Sequence, residues 1–222
     1  MKKHIAIAID GPAAAGKSTI AKLIAKKLGF TYIDTGAMYR AFTWAVLENN
    51  LNPENLEEAC SLIGKIEILL TKDSQVFVNQ VDVTRLIREP RVSGNVSYIA
   101  SYKPIRLALV EQQRALAKNH SVVMDGRDIG TYVLPNAQVK IFQVASVDTR
   151  ALRRYKENIE KGINVPLEEI KQELEKRDYI DSHRDFAPLR QAEDAILLDT
   201  SLMTIEEVVE EVLRIVNERV GL

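Results

Sequence analysis

The run Gly11-Pro12-Ala13-Ala14-Ala15-Gly16-Lys17-Ser18 sets two glycines, a lysine and a serine at the spacing of a phosphate-binding loop. The chemistry this spacing serves is anion binding. Glycine lets the backbone wrap closely round a phosphate. Successive N–H groups then point inward at the start of a helix, where the dipole also favours negative charge. Lys17 would reach the β- and γ-phosphates of a nucleoside triphosphate, and the Ser18 hydroxyl would ligate Mg²⁺. Gly11 to Thr19 are therefore the expected triphosphate-binding residues. An ordinary glycine-rich turn is the plainer alternative. The context argues against it, because a buried strand precedes the loop and a helix follows.

Four other stretches carry chemistry. In "DTGAMYR" (Asp34–Arg40), Thr35 and Gly36 open a helix and Arg40 lies about a turn in. A helix start beside a guanidinium suits a second phosphate, and a capped helix with a surface arginine is the alternative. "VVMDGRDIG" (Val122–Gly130) ends an apolar strand in Asp125, which could hold a Mg²⁺-bound water, and projects Arg127 and Asp128 from the next loop. A solvated turn with a local ion pair is the alternative. In "KRDYIDSHRDFAPLR" (Lys176–Arg190), Arg177, Asp181 and Arg184 follow i, i+4, i+7 spacing and are expected on one helical face. An exposed, salt-bridged helix would show the same pattern, and His183 falls off that face. "DTRALRRYKEN" (Asp148–Asn158) sets Arg150, Arg153 and Arg154 just after a strand, as a lid over phosphates or as a basic solvated helix. Spacing alone does not rank the three.

These groups need a scaffold. "IAIAI" (Ile5–Ile9) is apolar on both faces, as in a central parallel strand. Ile20, Leu23, Ile24 and Leu28 share a helical face that stops at Gly29, and "FTYID" (Phe30–Asp34) is a second strand. Strand, loop, helix, strand opens a parallel α/β fold. "KIEILL" (Lys65–Leu70) and "QVFVNQ" (Gln75–Gln80), joined by "TKDS" and continued by Val81–Ile87, predict a small antiparallel insertion at about 62–101. Helices resume at "KPIRLALVEQQRALAK", and strands at Ser121–Gly126, Ala137–Ala145 and "AILLDT". In the last helix Ile205, Val208, Val209, Val212, Leu213 and Val216 form a packing stripe.

At 222 residues and 46% hydrophobic, the chain suits one globular unit. Its 30 basic and 31 acidic residues give no reason to expect bulk binding to nucleic acid or an anionic membrane. One cysteine, Cys60, excludes an internal disulfide and fits a reducing cytoplasm, as it would fit many exported chains. The start "MKKHIAIAIDG" resembles a signal peptide only until Asp10 ends the apolar run, so a buried strand is expected there. No apolar stretch approaches a membrane span. The chain has no Asn-Lys pair, which a guanine-nucleotide switch would use to read its base, and its size favours a small kinase over a motor or transporter.

The chain resembles the bacterial cytidylate kinases of the nucleoside monophosphate kinase superfamily. The resemblance runs from first strand to last helix through "IDGPAAAGKST", "YIDTGAMYR", "VSYIASYKPIR", "MDGRDIGTYVLPNAQVKIF", "KRDYIDSHRDFAPL" and "AILLDTSLMTIEEVV". Many members carry Gly-Lys-Gly where this chain has Gly-Lys-Ser, which is closer to the general loop pattern. The resemblance implies an α/β P-loop kinase fold, three-layer α/β/α with a central parallel five-stranded sheet. It implies a core of 1–61, 102–147 and 168–222, an enlarged monophosphate-binding insertion at 62–101 and a helical lid at 148–167.

By the same resemblance, ATP would phosphorylate CMP, with dCMP a second acceptor. The acceptor phosphate would be held by Arg40, Arg127 and Arg184 with Thr35 nearby, the cytosine read by Ser97, Arg106 and Asp128, and the sugar approached by Arg177 and Asp181. Lys17, Arg127, Arg184, Arg153 and Arg154 would serve catalysis, with Mg²⁺ near Ser18 and Asp125. A cytoplasmic monomer with no nucleic-acid or membrane partner is expected. A kinase for UMP or another metabolite, and a nucleotide-dependent binding module, are the rivals.

Overall fold

The computed structural model describes residues 4–71, 73–160 and 162–222. Lys2 and Lys3 of the leader-like start, Lys72 of the expected turn and Lys161 near the end of the expected basic helix lie outside the described residues. The chain opens with β1 (Ala6–Asp10), α1 (Lys17–Leu28), β2 (Thr31–Asp34) and α2 (Thr35–Glu48). A short α3 (Leu56–Cys60) leads to β3 (Ile68–Leu70), β4 (Val76–Val78) and β5 (Val81–Asp82). Then follow α4 (Pro90–Ser93), α5 (Val96–Ser101), α6 (Lys103–Ala117), β6 (Val122–Gly126), β7 (Val139–Val144), α7 (Val147–Glu160), α8 (Leu167–His183), β8 (Ile196–Asp199) and α9 (Ile205–Val220).

Five strands pair in parallel in the order β2-β6-β1-β7-β8, so the expected central sheet is present. Its strands are apolar on both faces because helices cover both. On one side α1 and α9 bury Ile20, Ile24, Val208, Val212 and Val216 against Ile7, Ile9, Val139 and Ile141. On the other, Ala8, Ile33, Val122 and Met124 meet Val110 of α6 with Ile129 and Val133. Register matters for function. Asp34 pairs with Asp125, and Asp10 with Gly126, so three carboxylates reach the carboxyl edge of the sheet together.

The insertion is smaller in strand and richer in helix than expected. β3-β4-β5 form a three-stranded antiparallel sheet, but its strands are 68–70 and 76–78 rather than 65–70 and 75–80. Asn79 and Gln80 take φ of 46° and 70°, a two-residue hairpin turn that ends β4 at Val78. Beyond β5, a 3₁₀ turn (Leu86–Arg88) ends the extended character expected of Val81–Ile87, and α4 and α5 complete the insertion, with Pro90 opening α4. Val76, Val78, Ile87, Val96 and Ile99 pack with Met38 and Phe42 of α2, which ties the insertion to a core helix. Among the described residues no helix is long and apolar enough to cross a membrane.

Candidate active site

The loop between β1 and α1 opens helix α1 at Gly16, whose φ is 91°. Gly11 is required by close approach: a Cβ there would lie 2.0 Å from the Gln143 carbonyl oxygen, at φ 151°. Lys17 is buried and its Nζ donates to the Pro12 carbonyl at 2.7 Å. Burial pulls its pKa down to about 7, and Arg127 adds to that. Ser18 Oγ donates to Asp125 Oδ2 at 2.9 Å, and the Tyr32 hydroxyl to Oδ1 at 2.8 Å. Burial, with Asp34 nearby, raises the Asp125 carboxyl above its ordinary range. A buried carboxylate in that state, beside a hydroxyl at the mouth of an anion loop, has the chemistry to take up a cation. Among the described residues no cluster of three or more His, Cys, Asp or Glu forms a metal site.

Opposite the loop stands a set of arginines, each engaged with a carboxylate. Asp34 caps α2 by accepting from Ala37 N at 2.7 Å, and takes Arg40 Nη2 and Arg88 Nη2 at 3.2 Å each. Burial alone would raise its carboxyl; the two guanidiniums and the Ala37 N–H outweigh it and hold it low. Arg106 is buried over the Tyr39 ring and bonds Asp128 Oδ2 at 2.5 Å. Arg184 Nη2 lies 3.5 Å from Asp128 Oδ1. Arg127 Nε donates to Asp181 Oδ2 at 2.8 Å. Burial would raise Asp181, but Arg127, Arg184 and Arg177 bring it below the usual range. Arg177 Nε is buried without a partner, as are Arg40 Nε and Arg106 Nε, and burial, then Arg127, lower the Arg177 pKa to about 10.

One cleft of about 730 Å³ joins these groups. It reaches Ala13 to Thr19, Thr35, Arg40, Ser97, Arg106, Asp125, Arg127, Asp128, Arg153, Arg154, Arg177, Asp181 and Arg184. Gly11 and Pro12, at the start of the loop, do not line the cleft. The Thr35 hydroxyl is occupied, donating to the Asp125 carbonyl at 2.7 Å. The three residues expected on one face, Arg177, Asp181 and Arg184, all line the cleft. α8 ends at His183, and Arg184 caps it: its N–H still donates to the Ile180 carbonyl, while its guanidinium reaches the Ala187 carbonyl and Asp128.

The three arginines after β7 also separate. Arg150 is buried against Ala13, Ala145 and Asp178. Arg153 donates to the Ala15 and Thr200 carbonyls, and Arg154 to Glu157. His183 stacks on Tyr179 outside the cleft, a structural placement. Sequence reasoning missed Arg88, Gln143 and the stretch Thr200, Met203, Thr204 and Ile205, which also line the cleft. No motif marks them; the 3₁₀ turn of the insertion brings Arg88 there, β7 brings Gln143 and the end of β8 brings the rest, and only the capping pair Thr204/Glu207 left a signal, that of a helix start.

A parallel sheet in this order, with a phosphate loop after β1 and cations across the cleft, defines a P-loop kinase. Solved structures agree on the fold. An uncharacterised protein from Eubacterium ventriosum matches with a TM-score of 0.54 at 14% identity, over 98% of this chain and 100% of that one. A gluconokinase from Sinorhizobium meliloti matches with a TM-score of 0.50 at 15% identity, over 96% and 92%. A family model described as cytidylate kinase matches residues 7–218. Proteins named cytidylate kinase are 54% identical in Ligilactobacillus salivarius, over 99% of each chain, and 55% identical in Streptococcus pneumoniae, over 95% of this chain and 96% of that one. The chain belongs to the cytidylate kinase family.

Proposed function

We propose that the protein transfers the γ-phosphate of ATP to CMP, and to dCMP, giving ADP and CDP or dCDP. The observation that carries this reading is the single cleft with an anion loop on one wall and Arg40, Arg127 and Arg184 on the other. Two polyanions must be brought together there. Their repulsion is offset by Lys17 and these arginines, which also stabilise charge spreading over the transferred group. The acceptor oxygen is already largely ionised near neutral pH, since the second phosphate pKa is about 6, so no general base is needed. The arrangement positions the reactants for direct in-line transfer.

Asp128 accepts from the exocyclic N4 amino group of cytosine, where uracil presents a carbonyl. Its carboxylate keeps acceptor capacity beyond the bonds to Arg106 and Arg184. Ser97 lies beside the base, and Arg177 and Asp181 face the sugar. Ser18, and Asp125 through a bound water, would hold a Mg²⁺, which would supply charge neutralisation for the donor phosphates. The donor nucleoside is assigned to the arm of the cleft between Arg153 and Thr200–Ile205.

The core comprises 1–61, 102–147 and 168–222, with 62–101 the acceptor-side insertion. The segment 148–167 acts as a lid, excluding water as a competing acceptor and bringing Arg153 and Arg154 toward the phosphates. The protein works as a cytoplasmic monomer in pyrimidine nucleotide metabolism. A coupled assay of ADP release tests the reading: release should depend on CMP. Release that ignores CMP, or only traces of it, would refute the assignment.

A further inference from the structure

The phosphate loop is braced from outside by an ion pair that phosphoryl transfer does not itself use. Arg150 Nη1 of α7 meets Asp178 Oδ2 of α8 at 2.6 Å. Both engage the same loop residue. The Ala13 N–H donates to Asp178 Oδ1 at 3.1 Å, and the Ala13 carbonyl accepts from Arg150 Nη1 at 3.0 Å. Arg150 Nε also donates to the Ala145 carbonyl just past β7, so the brace is anchored to the sheet. The Ala13 side chain packs with Ala151, Ile170 and Leu174 of the same two helices.

The next residue shows why a brace is needed. Ala14 takes φ 57°, left-handed backbone that costs an alanine roughly 1–2 kcal/mol. Such a conformation persists only where its surroundings over-determine it. In a trans peptide the carbonyl and the following N–H point to opposite sides. Holding the Ala13 carbonyl out toward Arg150 therefore turns the Ala14 N–H the other way. On the far side of Ala14, the Ala15 carbonyl is held by Gln143 Nε2 at 2.6 Å and Arg153 Nη1 at 3.3 Å, which orients the Gly16 N–H in the same manner.

We infer that Arg150 and Asp178 are positioning residues of the triphosphate site, keeping the loop in its strained anion-binding form before the ligand arrives. This rests on reading the loop as the donor site. Without the brace, Ala14 relaxes and must be strained again on binding. Triphosphate affinity falls, while the acceptor arginines keep their own carboxylate partners.

Calorimetric titration of ATP and, separately, of CMP into wild type, Arg150→Lys and Asp178→Asn tests this. Lysine keeps the charge but loses the fork, and asparagine leaves one of its two donors unmatched. Each variant should bind ATP about tenfold more weakly, with CMP affinity within about twofold of wild type. Unchanged ATP affinity, or equal weakening of both ligands, would overturn the inference. Should one variant fail to fold, the other carries the test. A wild type that bound ATP but not CMP would remove the acceptor assignment alone, and the loss of ATP affinity would still be expected in both variants at an undiminished melting temperature.

Discussion

In the reading proposed above, the two walls of the cleft hold anions by different means. On the donor wall the binding groups are backbone N–H groups of one short loop, fixed by braces from α7, α8 and β7. On the acceptor wall they are side chains from α2, α6, the loop after β6 and the end of α8, and most are already paired with aspartates. The donor wall is preorganised by backbone geometry. The acceptor wall is preorganised by charge balance, so on that reading an incoming phosphate would exchange with resident carboxylates. Burying these cations is costly even so: burial lowers the pKa of Arg40 and Arg184, which have carboxylate partners, and takes that of Arg177 to about 10. Selectivity should therefore reside on the acceptor wall and generic phosphate affinity on the donor wall.

The largest expected effect breaks one wall only. Arg127→Ala or Arg184→Ala should lower kcat/KM for CMP by about 10³, with ATP affinity within a few fold. Steady-state kinetics with a separate ATP titration checks this, and near-normal turnover in both variants would dissolve the distinction between the walls. A smaller effect is expected of Asp128→Asn. The amide can present a donor where uracil has its carbonyl, so the preference for CMP over UMP should fall about 10–100-fold. Paired CMP and UMP rates read it directly, and an unchanged ratio would count against the cytosine contact.

The smallest effect lies at the seam between the walls. Asp10 precedes the donor loop, and its carboxylate accepts from Ile129 N and Gly130 N, just past Asp128. Burial raises its pKa from 3.8 to about 7, against the two N–H bonds that lower it. The folded protein therefore holds an extra proton between those values. This group's contribution to stability falls as pH rises from about 4 to 7, and its penalty is complete above 7. Asp10→Asn lacks that slope. Its stability deficit relative to wild type should narrow by at least about 1 kcal/mol between pH 5 and pH 8 in urea unfolding. A deficit independent of pH would mean that Asp10 does not titrate in this window.

The same contrast explains what the sequence made legible. The donor loop is contiguous and its spacing is physical, so Gly11 to Thr19 stand out from residue types and spacing alone. The sheet is similarly plain, because runs such as "IAIAI" must be buried on both faces. The acceptor wall is assembled from segments more than a hundred residues apart, and Arg106 or Ser97 carry no local signal; the family resemblance, not spacing, singled them out. Helical spacing puts Arg177, Asp181 and Arg184 together, and all three line the cleft, but it does not foresee that α8 stops at His183 and leaves Arg184 as its cap. It was equally silent on Arg150, whose neighbours Arg153 and Arg154 look alike in sequence but whose guanidinium lies buried under the loop. The insertion's strands were overextended because the left-handed Asn79 and Gln80 are ordinary residues in a one-dimensional reading.

The most direct test is the rate of ADP release from ATP with CMP, dCMP, UMP, AMP or dTMP as acceptor. Fast release with CMP and dCMP, and slow release with the other three, is the expected result. Equal or faster release with UMP, or ATP binding without transfer to any monophosphate, would contradict the account.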